Sequence, residues 1–251
     1  SFLLKGLERI VQWHFNETIL QNPLSNQHAY TKGRSCDSAL SEVVDRMERG
    51  LIRKEHSLLV SLDCSGAFDN LTYDSSVQAL RDAGVSPRIT KWYRSLLANR
   101  KVDSEMYGQT RTIFPTRGNP QGGVLSPLVW NFAINRLLTK FRAEQTVNDL
   151  GRCGIKAAGY ADDVLLMGQG DDPLRLIGDM QRAINRAVRW ARQCGLAYNP
   201  QKTECLFRHP GRQTRDDFNY PDLTIDNTPL PFTDTVKYLG LTLDKSLLWN
   251  A

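Results

Sequence analysis

The residues of this sequence most suited to chemistry are two adjacent carboxylates, Asp162 and Asp163, which lie between two apolar runs. The runs cover residues 154–159 and 164–167 and are short, so they predict a β-hairpin with the acids at its turn. An Asp-Asp pair in a turn more often serves turn geometry alone. Carboxylate oxygens are also the ligands that hard divalent cations prefer. The pair is therefore a candidate metal site.

A third carboxylate, Asp63, follows a predicted buried strand at residues 57–62. Acids at strand ends are typical of functional sites. Two divalent ions about 3.5–4 Å apart can activate an attacking hydroxyl and stabilise a leaving phosphate, but they require oxygen ligands from separate strands. Asp63 and Asp162 could supply these ligands, which favours phosphate-transfer chemistry.

A glycine-rich loop at residues 117–127, RGNPQGGVLSP, precedes an apolar helix. Its glycines would let a substrate approach the backbone closely. The strings LDCSGAFD (62–69), GNPQGGVLSP (118–127) and YADD (160–163) resemble, in this order, motifs A, B and C of reverse transcriptases. As an ordered set these motifs are highly specific.

The resemblance covers nearly the whole chain. Residues 27–40, QHAYTKGRSCDSAL, resemble the fingers motif of non-LTR retrotransposon and group II intron enzymes; residues 195–204 resemble motif D, and 236–240 resemble motif E. The opening SFLLKGLERIV, the YADD spelling and the KTE of motif D are most similar to non-LTR (LINE-like) elements, with the Jockey-like group as the expected subgroup.

The resemblance implies an α+β right-hand polymerase fold: a palm with an antiparallel sheet and helices on one face, plus a partial helical fingers lobe. Periodicity alone does not distinguish this palm from other α+β sheets, such as those of nucleotide cyclases. The expected divisions are partial fingers at 1–57, motif A palm at 58–84, a connection with a hairpin at 85–115, the remaining palm at 116–243 and the start of a thumb connection at 244–251.

Each motif residue has an implied role. The implied metal ligands are Asp63, Cys64, Asp162 and Asp163, the three acids also being catalytic. The residues implied to contact the dNTP or the template are Cys64, Ser65, Gly66, Ala67, Phe68, Gln121, Gly122 and Arg34. Lys202 is the implied catalytic proton donor to pyrophosphate, and the implied primer grip consists of Tyr238, Leu239 and Gly240.

Several of these roles compete with plainer explanations. Phe68 lies where the family places an aromatic ring to exclude a 2′-hydroxyl, but an aromatic residue at a strand end is usually core. Most lysines are simply solvated, Lys202 being no different by type. Asp163 could serve only to shape the turn, and Asp69 is expected to be structural. The primer-grip residues could likewise be merely structural strand residues.

The mechanism that the resemblance implies is two-metal nucleotidyl transfer with Mg²⁺, or alternatively Mn²⁺, extending a DNA primer with dNTPs on an RNA template. Two alternatives stay open: a group II intron or retron enzyme, and a non-catalytic nucleic-acid-binding remnant of a decayed or domesticated element. The chain reads as an excerpt, and the resemblance implies an endonuclease domain before it and a thumb after it.

The composition argues against a membrane protein, a secreted protein and a framework of disulfides or zinc. The chain has 251 residues, 41% of them hydrophobic, and a net charge of +5, which suits nucleic acid without establishing it. No run approaches about 18 apolar residues, and the start lacks a signal-peptide pattern, so we expect no membrane insertion and an intracellular, by resemblance nuclear, location. A disulfide framework or zinc site is not indicated by the spacing of the cysteines, Cys36, Cys64, Cys153, Cys194 and Cys205.

Local signals predict the main helices. Ser35 is a candidate N-cap, residues 71–83 are helical, Pro87 opens a helix, and Asp172 with Pro173 begins another. A hairpin is predicted at 102–114 with its turn at Gly108-Gln109. Two cationic rows lie off the apolar faces of their helices: Arg88, Lys91 and Arg94, and Arg182, Arg186 and Arg189. A solvated face explains the second row most simply, and direct contact with the template or primer backbone is the alternative.

Overall fold

The structure is a computed structural model that describes residues 2–20, 26–147, 154–211 and 219–245. Cys153 and most of the predicted thumb connection lie outside these residues. The helices are α1 Phe2–Thr18, α2 Cys36–Ile52, α3 Ala67–Asn70, α4 Tyr73–Asp82, α5 Pro87–Ala98, α6 Ser126–Val147 and α7 Pro173–Gln193. The strands are β1 His56–Leu62, β2 Val102–Met106, β3 Gln109–Ile113, β4 Lys156–Tyr160, β5 Asp163–Gly170, β6 Glu204–Arg208, β7 Thr224–Ile225, β8 Thr228–Pro229, β9 Thr235–Tyr238 and β10 Leu241–Asp244.

The described residues form two compact units. The first unit lies within Ser1–Leu24, Gly66–Arg136 and Gln193–Leu196, and the second within Ser25–Ser65, Leu137–Arg192 and Ala197–Ala251. The division cuts motif A after Ser65. The functional divisions expected from the resemblance remain predictions.

The second unit is built on a four-stranded antiparallel sheet with the order β4-β5-β1-β6. Strand β1, with the sequence HSLLVSL, pairs with β5 on one side and β6 on the other, and all but one of its residues are buried. A nearly continuous apolar run suits such a central strand, because both of its faces are covered. The predicted buried strand before Asp63 is therefore confirmed.

Both faces of this sheet are covered. On one face, Leu59, Leu165 and Met167 form a core cluster with residues of α2 and of the β9–β10 hairpin. On the opposite face, Gly168 lies against α7, where an added Cβ atom would be 2.7 Å from Leu176 Cδ1. The helix predicted to begin at Pro173 thus covers this face, whereas the covering of the other face by α2 was not evident from the sequence.

The first unit is mainly helical. Phe15 of α1 packs edge-on against Phe132 of α6, with ring centroids 6.1 Å apart. Tyr93 of α5 is almost fully buried, and its hydroxyl donates to the side-chain oxygen of the buried Asn119 at 3.2 Å. Strands β2 and β3 form a separate two-stranded hairpin whose residues are all exposed.

Most helix ends follow the signals in the sequence. The Ser35 hydroxyl caps α2 by accepting from the Ser38 N–H at 3.3 Å, and Pro87 occupies the first turn of α5. The Asp172 carboxylate accepts from two main-chain N–H groups in the first turn of α7, at 3.0 and 3.2 Å. No helix in the described ranges is long and apolar enough to cross a membrane.

Two predicted boundaries were wrong. Helix α4 begins at Tyr73 and not at Leu71, because the Thr72 hydroxyl accepts from the Ser75 N–H and caps it. The second correction concerns the β2–β3 turn, which consists of residues 107–108 and not 108–109. Both turn residues have positive φ, 54° and 73°, as the two-residue hairpin turn that matches the strand twist requires.

Candidate active site

The three acids lie at the same end of the sheet in the second unit. The last matched pair between β1 and β5 is Leu62 with Val164, so Asp63 and Asp163 come next on two adjacent strands. Tyr160 pairs with Asp163 across the β4–β5 hairpin, which leaves Ala161 and Asp162 as the turn. The predicted hairpin is present beside the strand that precedes Asp63, but only Asp162 lies in its turn, because Asp163 pairs with Tyr160 and begins β5.

The three carboxylates act on one another electrostatically. The pKa of Asp163 is raised, first because its carboxyl group is desolvated and then because Asp162 and Asp63 are negatively charged. Asp163 as a residue keeps an exposed surface, whereas Asp63 and Asp162 are half-buried. This end of the sheet therefore has a negative potential that favours a cation.

The three acids are neighbours but not a complete metal cage. Among the described residues, no group of three or more His, Cys, Asp or Glu side chains could hold an ion by itself. Mg²⁺ is usually bound through one or two carboxylates together with substrate phosphates. The oxygen donors and the repulsion at Asp163 fit such an ion in chemistry and in charge.

Gln27 holds the acidic turn from a fully buried position. Its side-chain oxygen accepts from the Ala161 N–H, and its side-chain nitrogen donates to the Ala161 carbonyl, both at 3.2 Å. Ala161 has a φ of 54°, in the left-handed region that is unfavourable for alanine. One glutamine thus satisfies both main-chain groups of the residue that precedes Asp162.

The segment around Gln27 is itself fixed to β4. The Gly159 N–H donates to the Asn26 carbonyl at 2.8 Å, and the His28 N–H donates to the Gly159 carbonyl at 2.9 Å. Arg34 donates through Nη1 to the Gln27 carbonyl at 2.7 Å. Arg34 therefore supports the turn in this structure, and its predicted contact with the nucleotide stays a prediction.

Gln27 is the site residue whose role the sequence did not reveal. In the sequence it is only the first residue of the fingers motif, 134 positions before Ala161. Its polar side chain indicates that it needs a hydrogen-bond partner. The sequence does not identify that partner, because the partner is a main-chain group.

The motif D turn is bonded to the end of β1. The Asn199 N–H donates to the Asp63 carbonyl at 2.9 Å, and the Thr203 hydroxyl donates to the Asn199 carbonyl at 2.9 Å. Lys202 lies in this turn with an exposed side chain. The turn thereby links the predicted proton donor to the strand end that carries Asp63.

The motif E residues lie in the β9–β10 hairpin. Tyr238 is buried in the core cluster, and its pKa is raised, mainly by burial and next by the charge of Asp163. Leu239 and Gly240 form the turn, with φ of 51° and 82°, and Gly240 is exposed. Tyr238 is thus a core residue here, and the accessible part of the predicted primer grip is the turn.

In the first unit, the motif B loop is attached to the motif A segment. The Gly118 N–H donates to the Leu71 carbonyl at 2.8 Å, and the Asn119 N–H donates to the Phe68 carbonyl at 2.9 Å. An added Cβ atom at Gly118 would lie 2.5 Å from the Asp69 carbonyl oxygen, and its φ is 81°. Glycine is therefore required by both conformation and space.

The same attachment holds Gln121. Its side-chain nitrogen donates to both oxygens of the Asp69 carboxylate, at 3.0 and 3.1 Å. Asp69 thus orients Gln121, in agreement with the expected structural role. Gly122, with a φ of 73°, follows as an exposed residue of the loop.

Phe68 is half-buried and packs against Trp130 of α6, with ring centroids 5.3 Å apart. It lies in the short helix α3, which Gly66 opens with a φ of 57° and in which Ala67 is buried. The preceding Ser65 N–H donates to the Ala197 carbonyl at 3.3 Å in the second unit, where Cys64 also forms a bridge with residue 198.

The predicted residues therefore divide between the units. The second unit brings together the three acids, Cys64, Ser65, Arg34, Lys202 and the motif E turn. The first unit brings together Gly66, Ala67, Phe68, Gln121 and Gly122.

Comparison with known families decides the classification. Residues 1–243 match the family described as "Reverse transcriptase (RNA-dependent DNA polymerase)". The chain belongs to this reverse transcriptase family. The resemblance drawn from motifs A to E is confirmed.

Curated relatives place this reverse transcriptase domain among retrotransposon proteins. It is 27% identical over 193 residues to a Pol polyprotein from the type-1 retrotransposable element R2 of Popillia japonica, with 75% of this chain and 31% of that protein covered. It is 25% identical over 213 residues to the RNA-directed DNA polymerase from the mobile element jockey of Drosophila funebris, with 84% and 22% covered. The domain thus spans about a fifth to a third of these relatives.

The reverse transcriptase domain is also similar to solved telomerase structures. Apo telomerase from Candida tropicalis, truncated from its C-terminal domain, has a TM-score of 0.65 at 11% identity, covering 96% of this chain and 44% of that one. The complex of this telomerase with a fragment of telomeric RNA gives a TM-score of 0.58 at 10% identity, with 98% and 38% covered. The predicted α+β polymerase fold is confirmed.

Proposed function

We propose that this chain is the polymerase domain of a non-LTR retrotransposon protein and extends a DNA primer with dNTPs on an RNA template. The observation that carries the proposal is the approach of three carboxylates from β1 and the β4–β5 turn, with both charged neighbours of Asp163 raising its pKa. Membership of the reverse transcriptase family supports this proposal.

The acids would hold two divalent ions. Asp63, Asp162 and Asp163 would contribute carboxylate oxygens, and Cys64 its main-chain carbonyl. Two bound Mg²⁺ ions, or Mn²⁺ in their place, would lower the pKa of the primer 3′-hydroxyl and neutralise charge on the phosphates. Gln27 keeps the turn in place, so that Asp162 and Asp163 need not reorganise when substrate binds.

The reaction forms a bond between the primer 3′-oxygen and the α-phosphorus of the dNTP and breaks the bond to pyrophosphate. The primer hydroxyl loses its proton, and the departing pyrophosphate takes one up. Lys202 Nζ is the group of this chain proposed to donate that proton. Its turn is fixed to the Asp63 carbonyl through Asn199 at 2.9 Å, which gives the donor a defined anchor.

Residues of the first unit would select the substrate. Phe68, supported by Trp130, would face the sugar of the nucleotide, and Gln121, oriented by Asp69, would contact the sugar or the template. Gly122 would allow backbone approach. Arg34 would assist in binding the triphosphate, and residues 239–240 would contact the primer.

The parent protein would contain further domains, because the chain spans only 31% and 22% of the relatives compared above. An endonuclease and a thumb are the domains that we propose, with the nucleus as the site of action. Retron and group II intron enzymes remain the alternative within the same family.

The test is incorporation of dTTP on oligo(dT)-primed poly(rA) with Mg²⁺, by this chain and by the parent protein that contains it. Asp162→Ala should abolish incorporation, whereas Asp171→Asn, an exposed acid beyond the other end of β5, should retain it. Absence of incorporation by both proteins, with RNA binding retained, would favour the non-catalytic remnant and refute the proposal.

A further inference from the structure

The first unit contains a cleft that the proposed polymerase site does not use. It lies between α4 and α5 and has a volume of about 440 Å³. Buried Val77 and Val85 contribute to its apolar wall. Three cations also line it: Arg81 of α4, and Lys91 and Arg94 of α5. The cleft therefore combines an apolar wall with three positively charged side chains.

Helix α5 concentrates positive charge. Its sequence, PRITKWYRSLLA, contains Arg88, Lys91 and Arg94 and no acid. Residues three apart on a helix are surface neighbours, on the order of 5–6 Å between Cβ atoms. Arg88 lies in the first turn, where the positive end of the helix dipole disfavours a cation. The row therefore does not stabilise α5 by itself.

The cations of the cleft are largely unneutralised. Among the described residues, Arg94 pairs with Asp74, but the two side chains are 54% and 80% exposed, which makes this a weak surface pair. Arg81 and Lys91 take part in no ion pair with other described residues. Asp82, the acid next to Arg81 in sequence, pairs with Arg136 at 2.8 Å.

We propose that the α4–α5 cleft is an auxiliary RNA-binding site that takes the phosphodiester backbone. Guanidinium and ammonium groups bind phosphate oxygens and fix register without reading sequence. The spacing of Lys91 and Arg94 along one helix face suits successive phosphates, and Arg81 approaches from the facing helix. The choice of RNA over an acidic protein rests on the proposed function.

The test measures binding of a fluorescein-labelled 20-nucleotide oligouridylate by anisotropy over a salt series, without dNTPs. Arg81→Gln/Lys91→Gln should weaken binding on the order of tenfold at 0.1 M salt and reduce the slope of log affinity against log salt by about 1.4, roughly 0.7 for each lost phosphate contact. The control Lys5→Gln/Lys140→Gln removes the same charge from exposed sites on α1 and α6 and should leave the slope near that of the wild type.

A second variant acts in the opposite direction. Asp74→Asn releases Arg94 from its ion pair and should tighten RNA binding, a gain that misfolding cannot mimic. Equal slopes for the cleft and control doubles, or no gain from Asp74→Asn, would overturn the proposal. If poly-glutamate instead binds to the cleft, and the double variant does not change the slope for RNA, the cleft is assigned to an acidic protein and the RNA proposal is overturned.

The result of the RNA-binding test can be distinguished from the result of the incorporation test. If Asp162→Ala loses incorporation but binds RNA with the salt slope of the wild type, the change affects the acidic site alone. A reduced slope in the cleft double variant supports the auxiliary site even when the chain incorporates no nucleotide.

Discussion

The carboxyl group of Asp163 makes the fold less stable at neutral pH, because its pKa is raised by desolvation and by two negative neighbours. A carboxyl with a folded-state pKa above its unfolded-state value binds protons more tightly when folded. The stability of the protein therefore falls as the pH rises through that pKa. This destabilisation is what bound cations would offset.

Asp163→Asn should accordingly raise the Tm at pH 7 in Mg²⁺-free buffer. The gain should shrink as the pH falls and the wild-type carboxyl takes up its proton. Differential scanning calorimetry across this range measures the effect, and Glu48→Gln, an exposed acid on α2, is the control. A Tm at pH 7 that is unchanged or lowered in Asp163→Asn would contradict the electrostatic account of the site.

Phe68 provides the residue-scale test of substrate selection. Phe68→Val should lower the preference for dNTPs over rNTPs by roughly 10- to 100-fold, because the pocket wall that excludes a 2′-hydroxyl becomes smaller. The measurement is the ratio of kcat/KM for dTTP and UTP on primed poly(rA). If Phe68 only packs against Trp130, the Tm will fall while that ratio stays constant.

At the scale of elements, Gln27 couples the segment before α2 to the acidic turn. Gln27→Met keeps the side-chain volume but removes the hydrogen bonds of the Gln27 amide with the Ala161 N–H, the Ala161 carbonyl and the Ala29 N–H. The expected cost is about 1–3 kcal/mol in the free energy of unfolding, with a decrease in kcat. Urea denaturation and primer extension measure the two effects.

Gln193→Met, at the exposed end of α7, is the matched control for Gln27 and should change neither quantity appreciably. If Gln27→Met loses no stability, the two bonds to Ala161 do not hold the turn. If it loses stability and keeps the kcat of the wild type, the turn does not position the acids.

The motif B loop makes a second element-scale prediction. Gly118→Ala introduces a Cβ atom 2.5 Å from the Asp69 carbonyl oxygen, at a φ of 81°. Gly84 also has a φ of 81°, but its added Cβ atom would meet nothing within 4 Å. In both alanine variants, left-handed backbone strain should lower the free energy of unfolding by about 1–2 kcal/mol. Only in Gly118→Ala should the steric clash lower it further.

Thermal denaturation of the two variants separates the clash with the Asp69 carbonyl oxygen from the backbone strain, because residues 118 and 84 have the same φ. Gly118→Ala should also raise the KM for dTTP, since Gln121 depends on the same loop and on Asp69. Equal losses of Tm in the two variants would show that the loop yields and that Gly118 is required for conformation alone.

The elements themselves were largely predictable from the sequence. Ser35, Pro87 and Asp172 mark helix starts through local hydrogen bonding and fixed φ, which sequence neighbours determine. The start of α4 was missed because Thr72 caps it within an otherwise helical pattern. The β2–β3 turn was misplaced by one residue because Tyr107 adopts a positive φ that its side chain does not signal.

At the scale of the whole molecule, the ordered motifs A, B and C pointed to the family that residues 1–243 match. Contacts through main-chain atoms were not predictable. Gln27 bonds to the backbone of Ala161, and the Asn199 N–H bonds to the carbonyl of Asp63. The side chains of Ala161 and Asp63 take no part in these bonds, so the residue types at 161 and 63 do not indicate which residues bond to them.

The central claim is that Asp63, Asp162 and Asp163 bind divalent ions together in the second unit. The most direct test replaces Mg²⁺ with Fe²⁺ in the presence of dTTP and of poly(rA) with a chain-terminated primer. Ascorbate and peroxide are then added, and the positions at which the protein backbone is cleaved are mapped. We expect cleavage near Asp63 and near Asp162, suppressed by excess Mg²⁺, lost in Asp162→Asn and retained in Asp171→Asn. Cleavage confined to other parts of the chain, or an unchanged pattern in Asp162→Asn, would contradict the account.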